Sequence, residues 1–413
     1  MNHGPCESTA LRRRGPRAAA TGAALVALSL ALAACGSGGS SGSGSGSNAG
    51  ATAPGVTANS ITFGQTAPHT GPTGEYGQSA YGVTAYFDMV NAKGGVNGRK
   101  LKLISLDDHY DPPTALQDTK KLVYQDHVFA EVAVNGSATT NADLTVLVPQ
   151  NVPLVGPQSG DQFLQPFKKS VYNVWPSYVV EGKTMGDFAI NNLHLTHVIA
   201  FYQNDPFGQA LLQGVEQSAA ASKLAAKISY DPTQTDFSTD ALKAKNANGD
   251  GVLFLSVPGS TNAMENSMAS INYKPKLIMS QVSAIPGSSF SAAPQEFPGA
   301  YVGAFVQPLN PPANAEAKQF VDAMKKYQPG KPISVFSGWG WIEAQTAVAG
   351  LKNVHGSLTR DSYEAGLNSI KNLKTMGGSV TYGPHDHIGL TCEFVVQARN
   401  RKFVPVQGGP SCQ

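Results

Sequence analysis

The chain has 413 residues, of which 41% are hydrophobic and 14% charged, with 30 Lys and Arg against 28 Asp and Glu. That length is roughly two to three domains' worth and excludes a peptide-sized or disordered chain, and a formal charge of +2 offers no basic footprint for nucleic acid. Arg12, Arg13, Arg14 and Arg17, with the single acid Glu7, precede Cys35; the remainder carries 26 basic and 27 acidic residues.

Residues 1–35 read as an export signal: an Arg-rich start, an Ala/Leu/Val run from Ala18 to Ala31, then small residues. The run is short of the roughly 20 residues of a stable membrane span. Leu32-Ala33-Ala34-Cys35 resembles the lipobox of bacterial lipoproteins, which implies acylation of Cys35 and a mature protein that begins there, held by lipid on the outer face of the cell membrane. Residues 36–56 are a Gly/Ser-rich tether that has nothing to bury. Cys6 precedes the cleavage point. Cys392 and Cys412 remain in the exported part, and in an oxidising compartment two leftover thiols pair, so a Cys392–Cys412 disulfide is expected.

From Ser60 onward β-rich runs alternate with helix-length amphipathic runs, the pattern of βα units on parallel sheets. Ile61–Phe63 reads as a strand; Ala80, Val83, Phe87 and Val90 recur at helical spacing until Gly94-Gly95. Leu101–Leu106 is a strand, Pro113–Gln125 a helix opened by prolines, and Val128–Val134 a strand that ends in the turn Asn135-Gly136-Ser137. After Trp175-Pro176 the rhythm resumes. Helices are expected at Glu181–Leu193, Asp205–Ala221 and Phe237–Asn246, and strands at His197–Phe201, Lys227–Tyr230 and Gly251–Leu255. Helices at Ala315–Tyr327 and Trp341–Leu351 precede a β-rich end, Ser379–Tyr382, Cys392–Gln397 and Phe403–Val406. Two such α/β units facing one another imply a cleft beyond the carboxyl ends of their strands.

Thr70-Gly71-Pro72 with Tyr76-Gly77, the run Val90-Asn91-Ala92-Lys93-Gly94-Gly95-Val96-Asn97-Gly98-Arg99, Asp107-Asp108 with Asp111-Pro112, and Asp236-Phe237-Ser238 together resemble the type I periplasmic solute-binding proteins of the leucine/isoleucine/valine-binding family. The similarity runs in order and spacing from Ser60 to Val406. It implies two Rossmann-like lobes joined by three crossovers near Trp175–Ser177, Gln307–Pro308 and Met376–Gly378. Lobe one is then 57–176 plus 308–376, and lobe two 177–307 plus 377–413. It also implies a monomer that closes around a small polar solute and hands it to the permease and ATPase subunits of an ABC importer.

Laid on this chain, the resemblance places a substrate carboxylate at Ser137, where a helix start offers N–H groups and a hydroxyl, and at the turn Gln158, Ser159, Gly160, where the glycine stands in place of a frequent threonine. Tyr76, Phe207, Trp339 and Trp341 match positions whose rings wall the pocket, and Pro258 lies on the far wall. Gln281 falls near the acid that pairs with a substrate ammonium; a neutral amide supplies no counter-charge, leaving Glu265 or Glu296 as substitutes. The ligand class therefore stays open between an amino acid, an amide or urea-like solute, and a carboxylate.

His385-Asp386-His387 and Asp107-Asp108-His109 have spacings a metal uses, but both lie in turns, and no metal, cofactor or catalytic residue is expected. Beyond the Gly/Ser tether no Gly-x-Ser-x-Gly elbow is present in the sequence, and no phosphate loop. An extracytoplasmic hydrolase and a ligand-sensing lipoprotein without a transporter are the alternative readings.

Overall fold

The computed structural model describes residues 53–160, 162–283, 299–306, 309, 311–399, 402–406 and 411–412. The signal segment, Cys35, most of the tether, Gln307-Pro308 and Glu296 lie outside them.

The first lobe is built on a five-stranded parallel sheet in the order β2-β1-β3-β4-β5. Its strands are β1 (Ser60–Ala67), β2 (Lys100–Asp107), β3 (Ala130–Val132), β4 (Leu154–Val155) and β5 (Val171–Tyr172). Helices α1 (Ser79–Ala92), α2 (Pro112–Tyr124) and α3 (Ser137–Leu147) connect them. The starts are encoded locally: Asp111 accepts a hydrogen bond from Thr114 N at 3.0 Å and Pro112 opens α2, where a missing N–H costs nothing.

The second lobe holds β6 (Val198–Gln203), β7 (Leu224–Tyr230), β8 (Gly251–Leu255), β9 (Lys276–Met279) and β10 (Tyr301–Ala304), mutually parallel. Three antiparallel strands extend that sheet: β13 (Cys392–Arg399), β14 (Lys402–Pro405) and β15 (Ser411–Cys412). Its helices are α4 (Tyr178–Asn191), α5 (Pro206–Glu216), α6 (Ser238–Asn246) and α7 (Pro258–Ser270). Helix α5 stops at Glu216, short of the expected Ala221, because Gln217 to Ala220 turn the chain.

The chain leaves β5 through Asn173–Ser177, and after β10 it returns to the first lobe with α8 (Ala315–Tyr327), α9 (Val335–Lys352) and α10 (Arg360–Asn368). Met376-Gly377, where a crossing is expected from the sequence, turn a small hairpin, β11 (Leu373–Thr375) with β12 (Gly378–Val380). Residues 387–390 then run beside Asn173 and Val174 before β13 begins. Core packing is aromatic in both lobes: Phe63, Phe87, Phe129 and Tyr363 in the first, and Phe201, Tyr230 and Phe237 in the second.

Candidate functional site

Parallel strands β3 and β4 aim their carboxyl ends at the other lobe, and the pairing continues past both as a bridge between Asn135 and Gln158. That bridge sets their side chains together: Asn135 Nδ2 donates to Gln158 Oε1 at 3.0 Å. Gly136 then caps α3 without offering a side chain, so Ser137 is the first helical residue and not the cap. The first-turn N–H groups of α3 have no acceptor within the helix.

Beside that helix start the hydroxyls of Ser137 and Ser159 lie 2.6 Å apart, and Gln162 Nε2 donates to both, at 2.9 and 3.2 Å. Two hydroxyls carry two hydrogens, and one is used between the serines. The other is left to donate to a ligand. Ser137, Gln158 and Ser159 are all buried.

Residues from both lobes close over this spot. Tyr76, Tyr110, Asn135, Gly136, Ser137 and Gln158 from the first lobe face Tyr178, Phe207, Val257 and Val282 from the second around a cavity of about 250 Å³. The lining side chains fill most of it and leave room for about one water. Tyr76 Oη donates to Val282 O across the lobes at 3.1 Å. Its ring stands edge-on to Phe336 at 4.8 Å, and Tyr178 stands edge-on to Phe207 at 5.1 Å. Burial pushes the phenols of Tyr76, Tyr110 and Tyr178 well above their ordinary range, and the charge of Asp205 adds to each shift. Asp205 caps α5 through Gly208 N at 3.0 Å and accepts from Gln203 Nε2 at 2.7 Å. It is an acidic group beside the pocket rings on the second-lobe side.

Of the residues singled out in the sequence, Tyr76, Ser137, Gln158 and Phe207 line the cavity. Ser159 backs Ser137, and Gly160 lies against the ring of Tyr178. Pro258 opens α7 next to the lining residue Val257. Gln281 is turned to the buried Glu181, which accepts from its backbone N at 2.6 Å and its Nε2 at 3.2 Å, while its neighbour Val282 lines the cavity. Trp339 packs beneath the cleft against Trp175 and Phe336, at 4.5 and 4.9 Å. Trp341 packs against Tyr86 and Phe320 within the first lobe. Asn135, Tyr110, Tyr178 and Asp205 were not singled out. Asn135 sits two residues before Ser137 and Tyr110 just beyond Asp107-Asp108, so both were within motifs already read for their turns.

The His/Asp motifs serve packing. His387 stacks on Tyr172 at 3.9 Å and hydrogen-bonds Val171 O and Asn368 Oδ1 through its two ring nitrogens. Asp107 accepts from His69 N and Thr70 Oγ1, at 2.8 and 2.7 Å. Among the described residues no group of three or more His, Cys, Asp and Glu is placed to hold a metal ion, and no helix is long and apolar enough to cross a membrane. In the second sheet, the β13–β15 register puts Cys392 directly opposite Cys412.

An amino acid binding protein of Pseudomonas aeruginosa is 27% identical over 169 residues, 40% of this chain and 45% of its own length, so the chain spans about half of that relative. The Leu/Ile/Val-binding protein BraC3 of Rhizobium johnstonii is 22% identical over 330 residues, 78% of this chain and 87% of its own. Among solved structures, an ABC-transporter solute-binding protein of R. palustris in complex with benzoate superposes with a TM-score of 0.76 at 19% identity, covering 86% of this chain and 98% of that one. The periplasmic binding protein family model matches residues 60–402, and with two parallel-sheet lobes closing on one cavity the chain belongs to that family, as a type I member.

Proposed function

We propose that this protein is the extracytoplasmic solute receptor of an ABC importer, anchored by lipid at Cys35, and that it traps a small carboxylate-bearing solute between its lobes. The observation that carries the reading is the spare hydroxyl hydrogen of the Ser137–Ser159 pair beside the start of α3, facing aromatic rings from the other lobe. A carboxylate gains the hydroxyl and the first-turn N–H groups there, both strengthened by its charge. The rings of Tyr76, Tyr178 and Phe207 then cover the rest of the solute. Relatives whose names specify amino acids, and a fold neighbour holding benzoate, support that ligand class.

With room for about one water in the cleft, entry requires the lobes to part. The bound solute then replaces water in a shut cavity, and the permease recognises the shut form. The segments at 173–177 and 388–391 are connections about which the lobes move. For an amino acid, Asp205 supplies the negative charge that Gln281 lacks, with the tyrosine faces adding to it. The test is a thermal-shift and calorimetric screen of amino acids, amides and aromatic acids against the native protein and Ser137→Ala. A carboxylate ligand should raise the native melting temperature and bind the variant at least about tenfold more weakly, the effect of one charge-assisted hydrogen bond. Equal affinity in the two proteins rejects Ser137 as the anchor.

A further inference from the structure

A chain of hydrogen bonds runs from the connection between the lobes to the cavity wall. Trp175 Nε1 donates to Glu343 Oε1 at 2.8 Å, and Gln158 Nε2 donates to Glu343 Oε2 at 2.9 Å. Asn135 Nδ2 donates in turn to Gln158 Oε1. Asn135 lines the cavity, and its Oδ1 is buried with no protein partner. The accepting end of the chain, on a residue that lines the cavity, is thus unused. Gly156 belongs to this arrangement, because a Cβ there would come within 2.4 Å of Glu343 Cγ.

An amide has one donating and one accepting end, so the orientation of each amide dictates the next. The indole only donates, which fixes Glu343 Oε1 as an acceptor. The direction of the whole chain then depends on the group at Oε2. We propose that Glu343 sets, through Gln158 and Asn135, whether the cleft offers its ligand a hydrogen-bond acceptor or a donor. This rests on the solute-binding reading above and assigns its selectivity.

Ionised Glu343 accepts from Gln158, and Asn135 shows Oδ1 to the cleft, where it recognises an ammonium, an amide N–H or a hydroxyl. Protonated on Oε2, Glu343 donates to the Gln158 carbonyl. Gln158 then gives its NH₂ to Asn135 Oδ1, and Asn135 shows NH₂ to the cleft, where it recognises a carbonyl or carboxylate. Each step is a half-turn of a terminal amide, which moves no backbone.

Burial pushes the Glu343 carboxyl up to about 8, against the hydrogen bonds from Gln158 and Trp175. Tyr382, a phenol that burial keeps neutral, is the titratable group facing it, and no charged side chain contributes to the Glu343 shift among the described residues. Glu343→Gln holds the chain in one direction: its carbonyl must meet the indole, so its NH₂ meets Gln158, as in the protonated state.

The test measures affinities of the full chain for two probe pairs, L-leucine with 4-methyl-2-oxopentanoate and benzamide with benzoate, at pH 6 and pH 9. In the native protein the preference for the donor-bearing member should rise about tenfold from pH 6 to pH 9, the worth of one hydrogen bond exchanged for a mismatch. In Glu343→Gln it should stay at the native pH 6 ratio. A native ratio equal at both pH values overturns the relay, and so does a variant that keeps the native pH response, while the binding function stands. Binding of no probe by the native protein overturns both. Should the variant not fold, the native pH profile decides alone.

Discussion

The ring of Tyr178 lies directly on Gly160: a Cβ at that glycine would stand 2.7 Å from both Cγ and Cδ2 of the tyrosine. The two residues come from different sides of the first crossing, one in the loop after β4 and the other at the start of α4. The absence of a side chain at Gly160 is what lets the ring take that place.

Gly160→Thr should therefore expel Tyr178 from the cleft wall. Overpacking at such a site costs about 1–3 kcal/mol, read as a lower denaturation midpoint. Gly160→Thr combined with Tyr178→Ala should lose less than the sum of the two single changes, since the clash is gone. Additive losses in that cycle would show that the contact does not govern the loop.

Acid should suit the ligand-free protein better than base. Burial pushes Asp108, Glu181 and Glu343 up to about 8 and Asp143 to about 7, from ordinary values of 3.8 to 4.5. The native state keeps protons that the unfolded chain has released, so stability is whole below about pH 4, declines as pH rises, and has lost this contribution above about pH 8. The melting temperature should fall between pH 5.5 and pH 8.5, and Glu343→Gln should flatten that slope. A melting temperature that climbs over the same interval contradicts the raised carboxyl pKa values.

Cys392 and Cys412 face one another across antiparallel strands, a placement whose Cα separation falls within disulfide range. A bridge closing about 20 residues restricts the unfolded chain by roughly 3 kcal/mol. Reductant, or Cys392→Ser with Cys412→Ser, should lower the midpoint accordingly, and the native exported protein should show no titratable thiol from this pair. Two free thiols would remove the bridge.

The βα rhythm was legible because each unit announces itself locally: prolines and Asp at helix starts, paired glycines at the end of α1, β-branched runs in strands. The strand-to-helix turn at Asn135–Ser137 and the loop at Gln158–Gly160 were legible for the same reason. Legibility failed where a residue's neighbour is remote in sequence. Nothing local in Tyr110 or Tyr178 tells which lobe they will meet. Trp341 reads like Trp339 in sequence, yet two residues along a helix is about half a turn, and the two rings face different neighbours. The α10 helix and strands β4 and β5 escaped notice because short, weakly patterned segments take their structure from what they pack on.

All three tryptophans of the chain are buried, and Trp175 sits in the first connection between the lobes with Trp339 at 4.5 Å. Parting of the lobes would disturb that pair before it disturbed either interior. The protein thus carries its own optical gauge, an indole emission that tracks opening and shutting without any attached dye.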